Sequence, residues 1–421
     1  MLFVLAAALV PSLARADIPV ARADDLQLNL GAMMQALGFG QRVDDPYTDH
    51  NRVYLFMKEA RLRANGSFHD VTFNAEVALG GEDAIAAASG VSLGLLDLSV
   101  NIPIGIDKRS YVKVGQFKVP YGRERLTYSA DAQFIDRSIQ DFGFRAGRDV
   151  GVALVLQPGP LTVIAGVFTG GGRDVPPQHY LPERLGIPML AARIGVGNVD
   201  EDPFALTVDP FATATKTALF VNALYTKDST VGHSTVLNVK LIDKSILLNG
   251  NWNPYIGKAP LSQGTWWQLG ADAALRTPLG GGLSLSAEAE ANWAGYSNDY
   301  GVVHVTGGRA QAGLGLKPFE LAVRYAVLFP DSGFASGPQK VTGTLALQEL
   351  TPSLTYHFTG QRLKLVADLP LLIDTPVFTE KGVGSYVGVE LPDQAAVLAK
   401  GGNSVGRQTV VEARLMLQAA F

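Results

Sequence analysis

The chain has 421 residues, 47% hydrophobic and 18% charged against a usual quarter or so, with 46 glycines, no cysteine and a net charge of −4. The acidic balance argues against nucleic acid as a partner, the lack of cysteine removes disulfides, and past the N-terminus no run reaches the ~18 uncharged residues of a membrane helix. Two or three ordinary domains or one large barrel would fit this length, and low charge with abundant glycine favours the barrel.

The N-terminus differs in kind from the rest. Leu2 to Leu9 is an unbroken apolar run, followed by Pro11 and the small-x-small triplet Ala14-Arg15-Ala16. This predicts an export signal over residues 1–16, cut before Asp17, and a mature chain of residues 17–421 forming a single domain. The missing basic n-region points to a translation start further upstream.

Beyond it, segments of roughly nine to twelve residues recur with apolar side chains at alternate positions. Leu283, Leu285, Ala287, Ala289, Ala291 and Trp293 share one face, and Ser284, Ser286, Glu288, Glu290 and Asn292 the other. That period of two is a strand's. The pattern predicts strands at 26–37, 53–64, 71–79, 93–103, 111–118, 148–157, 160–169, 188–197, 216–225, 265–277, 283–294, 308–316, 321–329, 349–358, 362–371 and 408–421. A further strand could hide in 234–248. Connections alternate between brief and long, the longest being 119–147, 226–264 and 372–407. The exception is 198–215, which should be a short turn and is not.

Sixteen strands enclose too wide a space to fill with Glu, Asn, Ser and Gln, so the polar faces must line an aqueous channel and the apolar faces must meet lipid. The fold class is therefore all-β: a transmembrane antiparallel β-barrel of about 16 strands, with short periplasmic turns and long extracellular loops. Strand parity turns Glu59, Arg61, Arg63, Glu76, Asp97, Lys113, Arg193, Asp272, Arg276, Glu288, Glu290, Arg309, Arg324, Glu412 and Arg414 inward, where charge is cheapest. Trp266, Trp267, Trp293 and Tyr325 are candidates for the aromatic girdles. The last strand alternates to a terminal Phe421 and resembles the C-terminal signature read by the outer-membrane assembly machinery.

Catalytic signatures such as H-E-x-x-H or a P-loop are missing, and the six histidines have no ligand spacing, so neither an enzyme nor a metal or other cofactor is expected. The informative stretch is Tyr111 to Leu154. It contains Val112-Lys-Val-Gly-Gln-Phe-Lys-Val-Pro-Tyr-Gly-Arg-Glu-Arg125, Phe134-Ile-Asp-Arg137 and Arg148-Asp-Val-Gly151. These motifs, with Pro318–Tyr325 and Leu350–His357, resemble the phosphate-selective porin O and P family. The resemblance implies an outer-membrane porin, possible preference for anions such as phosphate, a homotrimer, and a third long loop, 119–147, folded into the lumen as the constriction.

It also implies a basic filter, for which this chain offers Arg123, Arg125, Arg137 and Arg145 on the loop, Lys118 at its root, and Lys113, Arg61 and Arg63 on the wall. Guanidinium forks bind oxyanions bidentately, and a dry throat strengthens each contact. The same loop holds Glu124, Asp131, Asp136 and Asp141, so its charge balances, and these acids are equally suited to pin it to the wall. Two functions follow: a passive channel for small hydrophilic solutes, or a loop-plugged barrel serving as a surface adhesin or receptor.

Overall fold

The structure is a computed structural model. It describes residues 18–23, 25–44, 50–81, 93–105, 109–144, 146–170, 187–197, 202–227, 265–298, 301–330, 346–376, 385–386, 389–390 and 407–421. The signal-like residues 1–16, the candidate strand at 234–248 and most of 226–264 and 372–407 lie outside the described residues.

Sixteen antiparallel strands close into a barrel. They are β1 (Leu26–Asp44), β2 (His50–Phe68), β3 (Val71–Gly81), β4 (Gly94–Pro103), β5 (Tyr111–Lys118), β6 (Arg148–Leu156), β7 (Leu161–Phe168) and β8 (Ile187–Gly197), then β9 (Lys216–Lys227), β10 (Thr265–Gly280), β11 (Leu283–Asn298), β12 (Gly301–Leu316), β13 (Phe319–Pro330), β14 (Leu347–Thr359), β15 (Leu363–Asp368 and Leu371–Pro376) and β16 (Arg407–Ala420). Each pairs with the next, and β16 returns to β1 from Met33↔Ala420 to Asp44↔Thr409. Closure leaves no unpaired sheet edge, as a membrane requires. A short N-terminal strand, Ile18–Arg22, folds back on the start of β1. All sixteen strands expected from alternation are present.

The alternation becomes an inside and an outside. On β11, Ser284, Ser286, Glu288, Glu290 and Asn292 are buried in the interior, whereas Trp293 is 47% exposed on the outer surface. Leu269, Leu314, Leu321, Val323, Leu415 and Leu417 continue that outer apolar face. Trp293 meets Trp267 edge-on at 4.5 Å. Trp266, by contrast, is 3% exposed and points inward, so it does not belong to a girdle.

Two irregularities break the simple parity. At a bulge in β2, Glu59 pairs with Gln35 while Met57 pairs with Ala36, leaving Lys58 unpaired in register and turned inward beside Glu59. In β15 the ladder is interrupted at Leu369-Pro370, where proline has no N–H to give; Leu369 N–H donates to Pro352 O at 3.0 Å and Glu412 N–H to Pro370 O at 3.0 Å, keeping the strand in place.

The interior departs from the expected uniformly polar lining. Ala153, Val155, Ile164, Phe168, Met189, Ala191 and Leu224, on β6–β9, form a buried apolar cluster with Phe117, Val119, Tyr121, Leu126, Ile139 and Phe144. The reason is that the lumen holds chain as well as wall: the apolar side chains of an inserted loop need apolar partners.

Candidate functional site

Loop 119–147 enters the lumen and rests against the inner wall of β10–β16. Its neck is closed by Val119 N–H donating to Gly147 O at 3.0 Å. Gly122, at φ 75°, turns the chain into a one-turn helix α1 (Arg123–Leu126), and a 3-10 turn at Ser129–Asp131 and helix α2 (Ile139–Gly143) follow. These short helices are set by the wall rather than by propensity, being too short to stand alone.

The seat is built mainly of charge. Arg123 Nε donates to Asp272 Oδ1 on β10 at 2.9 Å, and Asp272 also receives two bonds from Arg193 of β8 at 2.5 and 2.9 Å. Glu124 sits between Arg309 of β12 and Arg324 of β13, each at 3.2 Å, and accepts from the Ser138 N–H and hydroxyl at 2.7 and 2.5 Å. Burial alone would raise the Glu124 carboxyl, but the two guanidinium groups and Ser138 together hold it below its ordinary value. Ile139 N–H donates to Glu349 of β14 at 2.7 Å, and Ile135 N–H to Asp368 of β15 at 3.0 Å. Asp136 faces Arg414 of β16 at 3.7 Å and Lys58 of β2 at 4.0 Å.

Neutral hydrogen bonds fill the gaps between these pairs. Tyr121 donates to Asn292 Oδ1 at 2.8 Å. Gln133 donates to Ser286 at 2.7 Å and to Glu320 at 2.6 Å, and accepts from Gln311 at 2.9 Å. The wall leaves room for them: a Cβ on Gly313 would lie 2.4 Å from Gln133, and one on Gly270 3.0 Å from the Tyr121 hydroxyl.

The expected filter residues are not gathered at one site: Arg63, Lys113 and Lys118 border one cavity, Arg61 and Arg63 a second and Arg137 a third, Arg123 and Arg125 border none of these, and most of their groups are engaged within the protein. Arg125 pairs with Asp141 inside the loop through both Nε and Nη2. Arg137 donates to Glu124 O at 3.3 Å and to Thr127 O at 3.5 Å, and Lys118 to Leu126 O and Thr127 O at 3.1 and 3.2 Å. On the wall, Arg61 pairs with Glu59 at 2.9 Å and Glu76 at 3.1 Å, Arg63 stacks over Tyr128 at 5.4 Å, and Lys113 donates to Asn101 at 3.1 Å. Arg123 is the exception. It is fully buried, and its Nη1 and Nη2 have no hydrogen-bond partner among the described residues. Arg145 lies outside the described residues.

Of the loop's acids, Glu124 and Asp136 reach the wall. Asp141 bonds within the loop, and Asp131 borders a small cavity of about 50 Å³ with Arg61, Arg63 and Arg362. Lys58, Gln133, Glu320, Glu349 and Asp368 were not singled out in the sequence. Strand parity could have flagged Glu320, Glu349 and Asp368; Lys58 could not be found that way, because a bulge turns it inward. A larger cavity of about 440 Å³ opens on the turn side, bordered by Lys113, Lys118, Arg148, Glu76, Asp97 and Tyr128.

Gly90-Val91-Ser92-Leu93-Gly94 has the G-x-S-x-G spacing of a hydrolase elbow; Ser92 lies outside the described residues, and Gly94 begins strand β4 rather than a helix.

A closed sixteen-stranded barrel with a loop seated in its lumen is the architecture of outer-membrane porins, and this fold together with a family match over residues 33–200 points to a channel rather than an enzyme. The sequence agrees: residues 33–200 match the model of the phosphate-selective porin O and P family, so the resemblance carried by Val112–Arg125 is borne out. Among solved structures the chain is similar to an anion-selective porin from Comamonas acidovorans, with TM-score 0.56 and 13% identity over 94% of this chain and 100% of that one. It is also similar to the outer membrane channel DcaP of Acinetobacter baumannii (TM-score 0.52, 13% identity, 96% and 100% covered) and to the trimer form of OmpT of Vibrio cholerae (0.52, 10%, 94% and 100%). At such identities the likeness is one of fold. No curated protein matches the chain in sequence.

Proposed function

We propose that the chain, after removal of residues 1–16, assembles as a homotrimer whose barrels, each one domain of residues 17–421, pass small hydrophilic solutes by diffusion, with a preference for anions such as phosphate. Loop 119–147 is the constriction. The observation that carries the anion preference is Arg123: its charge lies in the lumen interior, Asp272 engages only its Nε, and both Nη groups are buried without a hydrogen-bond partner among the described residues, a guanidinium that a shift of the loop would present to an oxyanion. The similar porin from Comamonas acidovorans is described as anion-selective, which agrees with this reading.

The test is the reversal potential of the purified protein in a planar bilayer under a salt gradient. An anion-selective sign is expected, and Arg123→Ala should move it toward zero while conductance steps persist. A cation-selective sign overturns the preference; unchanged selectivity in Arg123→Ala makes Arg123 structural.

A second reading, a plugged barrel acting as a surface receptor or adhesin, draws on the dryness of the mid-lumen, where Arg123, Arg193, Arg324 and Lys364 are each at most 1% exposed. Absence of conductance from folded protein would favour it.

A further inference from the structure

The connection between β8 and β9 is long where a brief periplasmic turn is expected, and its described part, residues 202–215, does not stay at the rim. It enters the lumen from the turn end as turns and irregular chain, with one bridge residue at Leu206. Phe204, Leu206, Val208, Pro210 and Ala212 are buried in the lumen, as is Pro203 beside them. It lies beyond residues 33–200, over which the family model matches.

The segment is docked on loop 119–147 and on the wall. Leu206 N–H donates to Leu126 O at 3.1 Å and Tyr128 N–H to Leu206 O at 2.9 Å, a parallel bridge centred on Thr127 and Leu206. Phe204 packs edge-on against Phe117 at 5.3 Å, and Lys113 Nζ lies 5.1 Å from its ring centre. Arg276 donates to Thr207 O, Ser284 to Pro210 O, and Gln361 to Val208 O at 3.0 Å. The wall is shaped for this segment: a Cβ on Gly315 of β12 would lie 1.8 Å from Pro210 O.

We propose that segment 202–215 is a gate: a second plug, inserted from the periplasmic end, that closes the lumen while it pairs with loop 119–147 and opens it by withdrawing. The wall contacts that can be released favour this over a fixed lining. The side-chain donors Arg276, Ser284 and Gln361 all bind its backbone carbonyls, which water can replace once the segment slides out. The backbone bonds described between it and the loop both lie at Leu206, so the loop's ties to the wall at Arg123, Glu124 and Asp136 are separate from it.

This inference rests on the channel reading and is tested by single-channel conductance in planar bilayers with three variants. Gly315→Leu leaves the segment intact but takes the space of Pro210 O, and replacement of residues 203–213 by Gly-Asn-Gly removes it. Both are expected to raise conductance or open fraction at least twofold over the unaltered protein. Thr127→Cys with Leu206→Cys, in a chain without other cysteines, is expected to show reduced opening when oxidised and to recover fully with reductant. If the unaltered protein conducts and Gly315→Leu, the replacement and the oxidised pair all match it, the gate is overturned and the channel stands. If none of the folded proteins conducts, the channel reading falls, and the gate with it.

Discussion

Loop 119–147 and segment 202–215 share one lumen but are held in it by different means. The loop shares the apolar cluster through Val119, Tyr121, Leu126, Ile139 and Phe144 but is fastened in addition through side-chain charge: Glu124 to Arg309 and Arg324, Arg123 to Asp272, Asp136 to Arg414 and Lys58. The segment carries no such pairs among its described contacts and is held by its backbone and by Phe204 and Leu206 in the apolar cluster. A buried ion pair is strong against loss of one partner, because the other is left charged and desolvated, whereas a packed segment on shared carbonyls can slide away with water as a substitute. The two inserts are therefore suited to different tasks, the loop to a fixed constriction and the segment to movement.

That contrast can be broken experimentally. The largest effect is expected from Glu124→Ala, which removes the loop carboxylate shared by Arg309 and Arg324; breaking such a buried network costs about 3–5 kcal/mol, here toward the lower end because Arg309 keeps Glu288 and Glu290 and Arg324 keeps Glu349. Thermal unfolding in detergent should begin at markedly lower temperature and current noise should rise; an unchanged transition would mean that the loop is seated by packing.

Phe204→Ala comes next. It removes an aromatic side chain from the segment's apolar anchor, for which about 3 kcal/mol is the low end of the usual range. Its effect should fall on open fraction more than on thermal stability and should not vary with salt, unlike that of Glu124→Ala. Equal salt dependence of the two would erase the distinction drawn here.

Acid should affect the loop through Glu124. Its carboxyl is held below the ordinary value of 4.5, so its contribution is complete above that value and is lost as pH falls through the lower folded one. Noise from loop release should stay flat from neutral pH down to that range and then rise, and Glu124→Gln should show a raised, pH-independent level through it. A wild-type change centred near neutrality would contradict the assignment. Smallest of all, Tyr121→Phe deletes one hydrogen bond, to Asn292, and should cost about 1 kcal/mol. A several-fold larger loss of stability would show that the loop is less independently pinned than its contacts indicate.

The barrel was legible because alternation is a local signal: every strand carries its own inside and outside, as β11 does from Leu283 to Trp293. The constriction loop was legible as a long interruption at Val119–Gly147. What escaped was whatever depends on distant pairing. The partner of Arg123 is Asp272 and that of Glu124 is Arg324, far away in the chain and fixed only when the barrel closes. Lys58 escaped because a bulge reverses its parity. Trp266 was misplaced because adjacent tryptophans must face opposite sides, and nothing local says which one faces in. Segment 202–215 reads as an irregular connection and its chain is irregular; what escaped is that Phe204, Leu206 and Val208 are buried in the lumen, which again depends on distant partners.

The most direct test compares single-channel conductance of the intact protein with that of a variant in which residues 120–146 are replaced by a short Gly-Ser link. The loop's place in the lumen predicts discrete steps from the intact protein and steps several-fold larger from the variant. No steps from either folded protein, or steps of equal size, would contradict a channel constricted by this loop.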